Sequence, residues 1–229
     1  MPDLLAIADR VVGWATDGEQ VEAVVVHERE VEVRAYEGQV ESLTAAESQG
    51  LGVRVVRDGR QGFAYAGTLD EDALAEVLAE ARDNAAFATP DEHAGLAIPD
   101  KVPVLDLDLF RAELVDHPMD DKVEMALELE HLTAQADPRI SGVESAEYSD
   151  VVSEAAVVTT TGIRATTRET GCCLMVSVLA EEHGETQTGF GFSLGRQPDE
   201  LDVERAATDA AIRATRMLGS VKPPSERLT

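Results

Sequence analysis

At 229 residues, 44% of them hydrophobic, the chain has material for one large or two ordinary domains with a real core, which excludes a disordered chain. Its 45 Asp plus Glu against 19 Lys plus Arg leave a formal net charge of −26, which repels phosphate backbones and excludes direct nucleic-acid binding through a basic footprint. The longest apolar runs, such as Val24 to Val26 and Cys172 to Val176, are far too short for a bilayer, and no basic region precedes an apolar segment at the amino terminus, so a cytoplasmic chain without membrane contact is expected.

In chain order, Asp3 to Thr16 reads as an amphipathic helix with Leu4, Ala8, Val11 and Ala15 at helical spacing. Two strands follow, Val21 to His27 and Val31 to Tyr36, and then three more, Val40 to Ser48, Gly52 to Arg57 and Arg60 to Ala66. The last two are joined by Asp58-Gly59, a dipeptide that supplies the positive φ of a tight hairpin. Val53 and Val55 fall on one face and Gly52 and Arg54 on the other; Phe63 and Tyr65 alternate with Gly62, Ala64 and Ala66. Gly50, Gly52 and Gly62 mark either strand ends and bends, or bulges and places where another backbone comes close. Thr68-Leu69-Asp70-Glu71 predicts a capping box that starts a helix to about Asn84, with Leu74, Val77, Leu78 and Ala81 buried.

From Phe87 to His117, Pro90, Pro99 and Pro103 break the pattern, and only Val104 to Phe110 could pack, so a domain junction is expected there. Pro118 opens a helix to about Ala136 that carries Val123, Ala126 and Leu127. Strands are then predicted at Gly142 to Ser149, Ser153 to Thr160, Ile163 to Glu169, Cys172 to Ala180 and Thr186 to Leu194, leading to a helix from Asp199 to Leu218. This repeats the first half: Thr161-Gly162 stands where Glu37-Gly38 stood, and GFGFSLG from Gly189 echoes GFAYAG from Gly62. The fold class expected is α+β, two consecutive units of antiparallel sheet flanked by helices, formed by internal structural duplication. The divisions are residues 1–88, a linker over 89–117, a second domain over 118–220, and from 221 to 229 the start of a linker, Lys222-Pro223-Pro224-Ser225, to a further domain.

Chemistry-bearing motifs are sparse. A zinc protease needs two histidines one helical turn apart with a Glu beside the first, and no two of His27, His93, His117, His131 and His183 meet that spacing; His27-Glu28 is half a motif at a predicted strand end. There is no G-x-S-x-G elbow, no P-loop and no phosphate-binding G-x-G-x-x-G. Cys172-Cys173 would point to opposite faces of a strand, as small buried residues with no metal spacing. Lysine is confined to Lys101, Lys122 and Lys222. No catalytic and no metal residue is therefore assigned. What remains is binding: a glycine-rich sheet with an exposed edge can accept an extended peptide as an added strand, with Gly50, Gly52, Arg54, Gly62 and Tyr65 as candidate peptide-contact or tight-backbone positions. Arg54 either meets a peptide carboxylate or forms an internal salt bridge.

The run from Glu37 to Gly67, an EG turn, a short polar strand, QGLGVRVVRDGRQGFAYAG and then a helix, resembles the amino-terminal domain of the TldD/PmbA family, and the resemblance extends more weakly over residues 20 to 218. That family was once described as modulators of DNA gyrase and is understood as two-subunit metalloproteases. The resemblance implies the amino-terminal and central domains of a PmbA (TldE)-like subunit, itself non-catalytic, that helps to form a chamber for unfolded peptide. It also implies hetero-oligomerisation with a TldD-type subunit whose HExxxH helix holds zinc, and no cofactor in this chain. The family's metal motif has no matching position here. The alternatives are a stand-alone scaffold or peptide-binding module, and an enzyme of unrecognised type.

Overall fold

The computed structural model describes residues 3–102, 105 and 107–227. Helix α1 (Leu4–Val12) is followed by β1 (Gln20–Tyr36), β2 (Gln39–Arg57), β3 (Arg60–Ala66) and helix α2 (Glu71–Phe87). A short α3 (Ala112–Val115) and α4 (Met119–Gln135) lead to β4 (Ile140–Thr159), β5 (Arg164–Glu182), β6 (Glu185–Gly195) and α5 (Val203–Thr215). The strands form one six-stranded sheet in the order β3-β2-β1-β4-β5-β6, an α+β fold.

Four of these strands are twice as long as the sequence predicts. Each pair of expected strands, such as Val21 to His27 with Val31 to Tyr36, is one continuous strand, because pairing with a neighbouring strand supplies backbone partners through polar runs and glycines that would end an isolated strand. Gly171 and the polar Glu28–Arg29–Glu30 run are therefore strand interior.

Compactness also divides the chain differently from the consecutive division at 1–88 and 118–220. One unit takes the amino-terminal residues up to Arg29 with Ala46–Phe110 and Val152–Glu169; the other takes Glu30–Ala45, Arg111–Val151 and the chain from Thr170 onward. Each unit therefore contains strand segments from both halves of the sequence. The linker is docked rather than free: the Asp91 amide donates to Gly59 O (2.7 Å) and the Leu96 amide to Gln20 Oε1 (2.8 Å). Of the predicted apolar segment Val104 to Phe110, Val104 and Asp106 lie outside the described residues, as does Pro103.

In the first unit, alternate residues of the strands meet the apolar stripes of α1 and α2. Val21, Ala23, Val25, Leu51, Val53, Val55 and Ala64 pack on Ala8, Val11, Leu74, Val77, Leu78 and Ala81. The expected capping box does not form. Asp70 is the N-cap, so Thr68 lies two positions too early, and its hydroxyl donates to Asp70 Oδ2 (2.8 Å). In the second unit, Leu174, Val176, Val178 and Ala180 of β5 are buried, as are the small residues Ala206, Ala207, Ala210 and Ala214 of α5. That helix is shorter than predicted because Pro198–Glu200 forms a separate 3-10 turn and Asp202, accepting from the Arg205 amide, caps the start.

Candidate peptide-contact surface

The five residues singled out from the sequence lie on the β2–β3 hairpin, but on two different faces. The register sets Gly52 opposite Tyr65 and Arg54 opposite Phe63. Phe63 and Tyr65 point away from the helices, 54% and 76% exposed, with ring centroids 6.3 Å apart. The Phe63 ring lies over Gly52, where an added Cβ would come within 3.3 Å of it, and a Cβ on Gly50 would come within 3.1 Å of Ala66 O. Gly50, Gly52, Arg54 and Tyr65 therefore share the helix-free face, where glycine leaves backbone accessible beside an aromatic pair.

Gly62 does not belong to that surface. It faces α2, and a Cβ there would sit 2.1 Å from Ala81 O and 2.2 Å from the Ala85 nitrogen, so it is a tight-backbone position that lets helix and strand approach closely. Arg54 resolves to the internal salt bridge: its Nε donates to Glu22 Oε1 at 2.9 Å and a second guanidinium nitrogen lies 2.8 Å from the same oxygen. The edge of β3 is also partly occupied. Asn84 Nδ2 of α2 donates to Phe63 O (2.9 Å), and an Arg60 guanidinium N–H donates to Ala88 O.

His27 sits in mid-strand rather than at a strand end. It is buried, with Nε2 2.6 Å from Glu47 Oε1, and the pair borders an open cavity of about 590 Å³ with Ser48, Gln49 and Gly67. Among the described residues no three His, Cys, Asp or Glu side chains come together in a way that could hold a metal ion, so these residues do not fit a zinc site.

The sequence reading missed a buried polar cluster in the second unit. Lys122 of α4 and Asp150 of β4 are both nearly inaccessible, with Nζ 2.6 Å from Oδ2, and the Tyr148 hydroxyl donates to the same oxygen at 2.8 Å. Burial and the Asp150 charge raise the Tyr148 phenol, and burial followed by the same carboxylate pushes the Cys172 thiol up to about 12. Cys172 is thus an inert core residue, with Cys173 half-buried on the other face. The one signal for this cluster was the rarity of lysine in a chain that otherwise uses arginine.

Comparison with known proteins agrees with this architecture. The family model for PmbA/TldA metallopeptidase domain 1 matches residues 21–85, and that for the PmbA/TldA metallopeptidase central domain matches residues 113–218. The chain is 26% identical over 232 residues to the metalloprotease PmbA of Escherichia coli O157:H7, covering 98% of this chain and 51% of that protein. A metalloprotease PmbA homolog of Haemophilus influenzae is 24% identical over 186 residues, covering 80% of this chain and 41% of its own length. The chain thus spans about half the length of the curated relatives it matches. Two crystal structures share the fold. A Thermotoga maritima protein solved as a candidate modulator of a DNA gyrase aligns with a TM-score of 0.79 at 21% identity, over 96% of this chain and 50% of that one. TldE from Thermococcus kodakarensis aligns with a TM-score of 0.74 at 18% identity, over 91% and 46%. With both domain models matched in order across most of its length, the chain belongs to the PmbA/TldD metallopeptidase family.

Proposed function

We propose that this chain is the amino-terminal, non-catalytic part of a PmbA (TldE)-like metalloprotease subunit and that its role is to hold extended peptide near a zinc centre supplied by a TldD-type partner carrying HExxxH. The observation that carries this reading is the ordered match to the family's first and central domains, in relatives about twice as long. No pair of its histidines has zinc-protease spacing, which supports a reading in which the hydrolytic chemistry lies in another polypeptide segment. The helix-free face around Gly52 and Tyr65 offers backbone and aromatic surface of the kind that holds a peptide without reading its sequence. A net charge of −26 disfavours a phosphate backbone as ligand.

The role is one of positioning, so activity belongs to the mixture. Tagged protein purified from its native host should bring down an HExxxH-bearing relative, and peptide cleavage by that relative should rise at least tenfold when this protein is added. If the relative elutes alone and cleaves equally well without it, the subunit reading fails and a stand-alone scaffold takes its place.

A further inference from the structure

In the first unit an open cavity of about 390 Å³ lies where the last turn of α2 meets the β2–β3 turn, walled by Val55, Ala85 and Ala86 and lined by three arginines, Arg57, Arg60 and Arg82. Arg82 is committed within the protein. Glu19, with its side chain only 3% exposed, accepts from Arg82 Nε at 2.9 Å and from a terminal Arg82 nitrogen at 2.8 Å, and its second oxygen also accepts from the Thr16 amide at 2.9 Å. Arg82 and Glu19 therefore neutralise each other.

Arg57 and Arg60 differ. They flank Asp58-Gly59, where both residues hold positive φ (50° and 71°), and the register sets the two arginines directly opposite each other. Like charges in that position destabilise a hairpin. Among the described residues no carboxylate comes within hydrogen-bond distance of either: Arg57 is 3.9 Å from Glu19 Oε1 and 4.0 Å from the exposed Asp58, and Arg60 donates to the Ala88 carbonyl at the end of α2. The Asp91 carboxylate accepts from the His93 amide instead. By contrast Arg34, Arg54, Arg139, Arg164 and Arg168 each have a carboxylate oxygen within 2.8 Å, as expected in a chain with 45 acidic side chains. Two adjacent guanidinium groups without a carboxylate partner match a doubly charged oxyanion, which accepts from planar N–H forks. The chain's charge of −26 opposes a polyanion that would continue across the acidic surface, whereas a single group in contact with the arginines is screened from charges beyond about 8 Å.

We propose that this cavity binds a single dianionic phosphate group, free or carried by a small molecule, between the guanidinium groups of Arg57 and Arg60. Val55, Ala85 and Ala86 then face whatever organic part the ligand carries, and the volume is in the range of small-molecule sites. The site lies on the helix side of the hairpin, away from Tyr65, and does not depend on the peptide-handling reading.

The test is isothermal titration calorimetry of the full chain with phenyl phosphate and, separately, inorganic phosphate, in chloride buffer at constant ionic strength and neutral pH. At least one of the two should bind with a Kd below about 1 mM. Arg57→Gln should weaken that binding about tenfold or more, and Arg57→Lys, which keeps the charge but not the fork, should weaken it less. Tighter binding of phenyl phosphate assigns the site to a phosphate monoester, and equal or tighter binding of inorganic phosphate assigns it to the free ion; both sustain the site. Equal affinity for benzoate, which carries one charge, would make it a carboxylate site and overturn the proposal. So would the absence of binding at about 1 mM, or binding that Arg57→Gln leaves unchanged. Because Arg57 makes no hydrogen bond to a carboxylate and opposes Arg60, Arg57→Gln should keep or raise the thermal midpoint without ligand. A lowered midpoint with unchanged phosphate affinity would make Arg57 a structural residue.

Discussion

Lys122 and Asp150 form a buried ion pair between α4 and β4. Both charges are out of water, and they are held by a 2.6 Å contact and by the Tyr148 hydroxyl on the same carboxylate oxygen. Such a pair contributes little net stability relative to an apolar equivalent, but breaking it leaves an uncompensated charge. Lys122→Met should therefore cost about 3–5 kcal/mol in urea unfolding. Adding Asp150→Asn, which removes the charge and still accepts from Tyr148, should recover most of that loss. Equal losses in the single and double variants would show that packing by the lysine stem, rather than charge, is what matters.

The glycines of the two edge strands belong to the scale of the element. Gly62 of β3 lies under Ala81 and Ala85 of α2, with Asn84 one position before Ala85 bonded to Phe63 O. Gly189 of β6 lies under Ala210 and Ala214 of α5, with Arg213 one position before Ala214 bonded to Phe190 O. In both places the missing side chain lets the helix settle onto the strand, and the side chain beside the contact closes the strand's outer carbonyl. The aromatic residues that follow each glycine necessarily point to the helix-free side, since strand side chains alternate. Gly191 is tighter still, because a Cβ would meet Ala206 O at 1.9 Å, and that neighbour is backbone and cannot rotate away. Gly191→Ala should therefore destabilise the chain by about 3 kcal/mol, at the upper end of overpacking effects. An unchanged thermal midpoint would mean that α5 is free to lift from β6.

At the scale of the whole molecule, each compact unit is assembled from both halves of the sequence. The segment Glu30–Ala45 belongs with the later strands, and Val152–Glu169 belongs with the earlier ones. A single cut in the proline-bearing connection between residues 98 and 109 therefore does not release a domain. The exposed Ile98, Leu105 and Leu107 make this the place where a protease should act first. Limited proteolysis is expected to yield two bands on a denaturing gel that co-elute as one species under native conditions. Separation of the fragments without denaturant would show that each half folds from its own strands alone.

The sequence by itself determined the class, the alternation of the strands and the family, because these depend on local periodicity and on motifs such as EG and GFAYAG that lie within a few residues of each other. It also left Arg54 between two outcomes, and only the approach of Glu22 from a neighbouring strand selected the salt bridge. Strand length was not legible, because a polar run or a glycine ends an isolated strand but not one held in a ladder. Gly62 could be recognised as a special position, yet its assignment to the helix face required knowing where α2 lands. The buried Lys122–Asp150 pair arises from contact between two elements, α4 and β4. Tertiary structure alone decided these, because ion pairing and strand pairing depend on which elements become neighbours, and no local pattern carries that information.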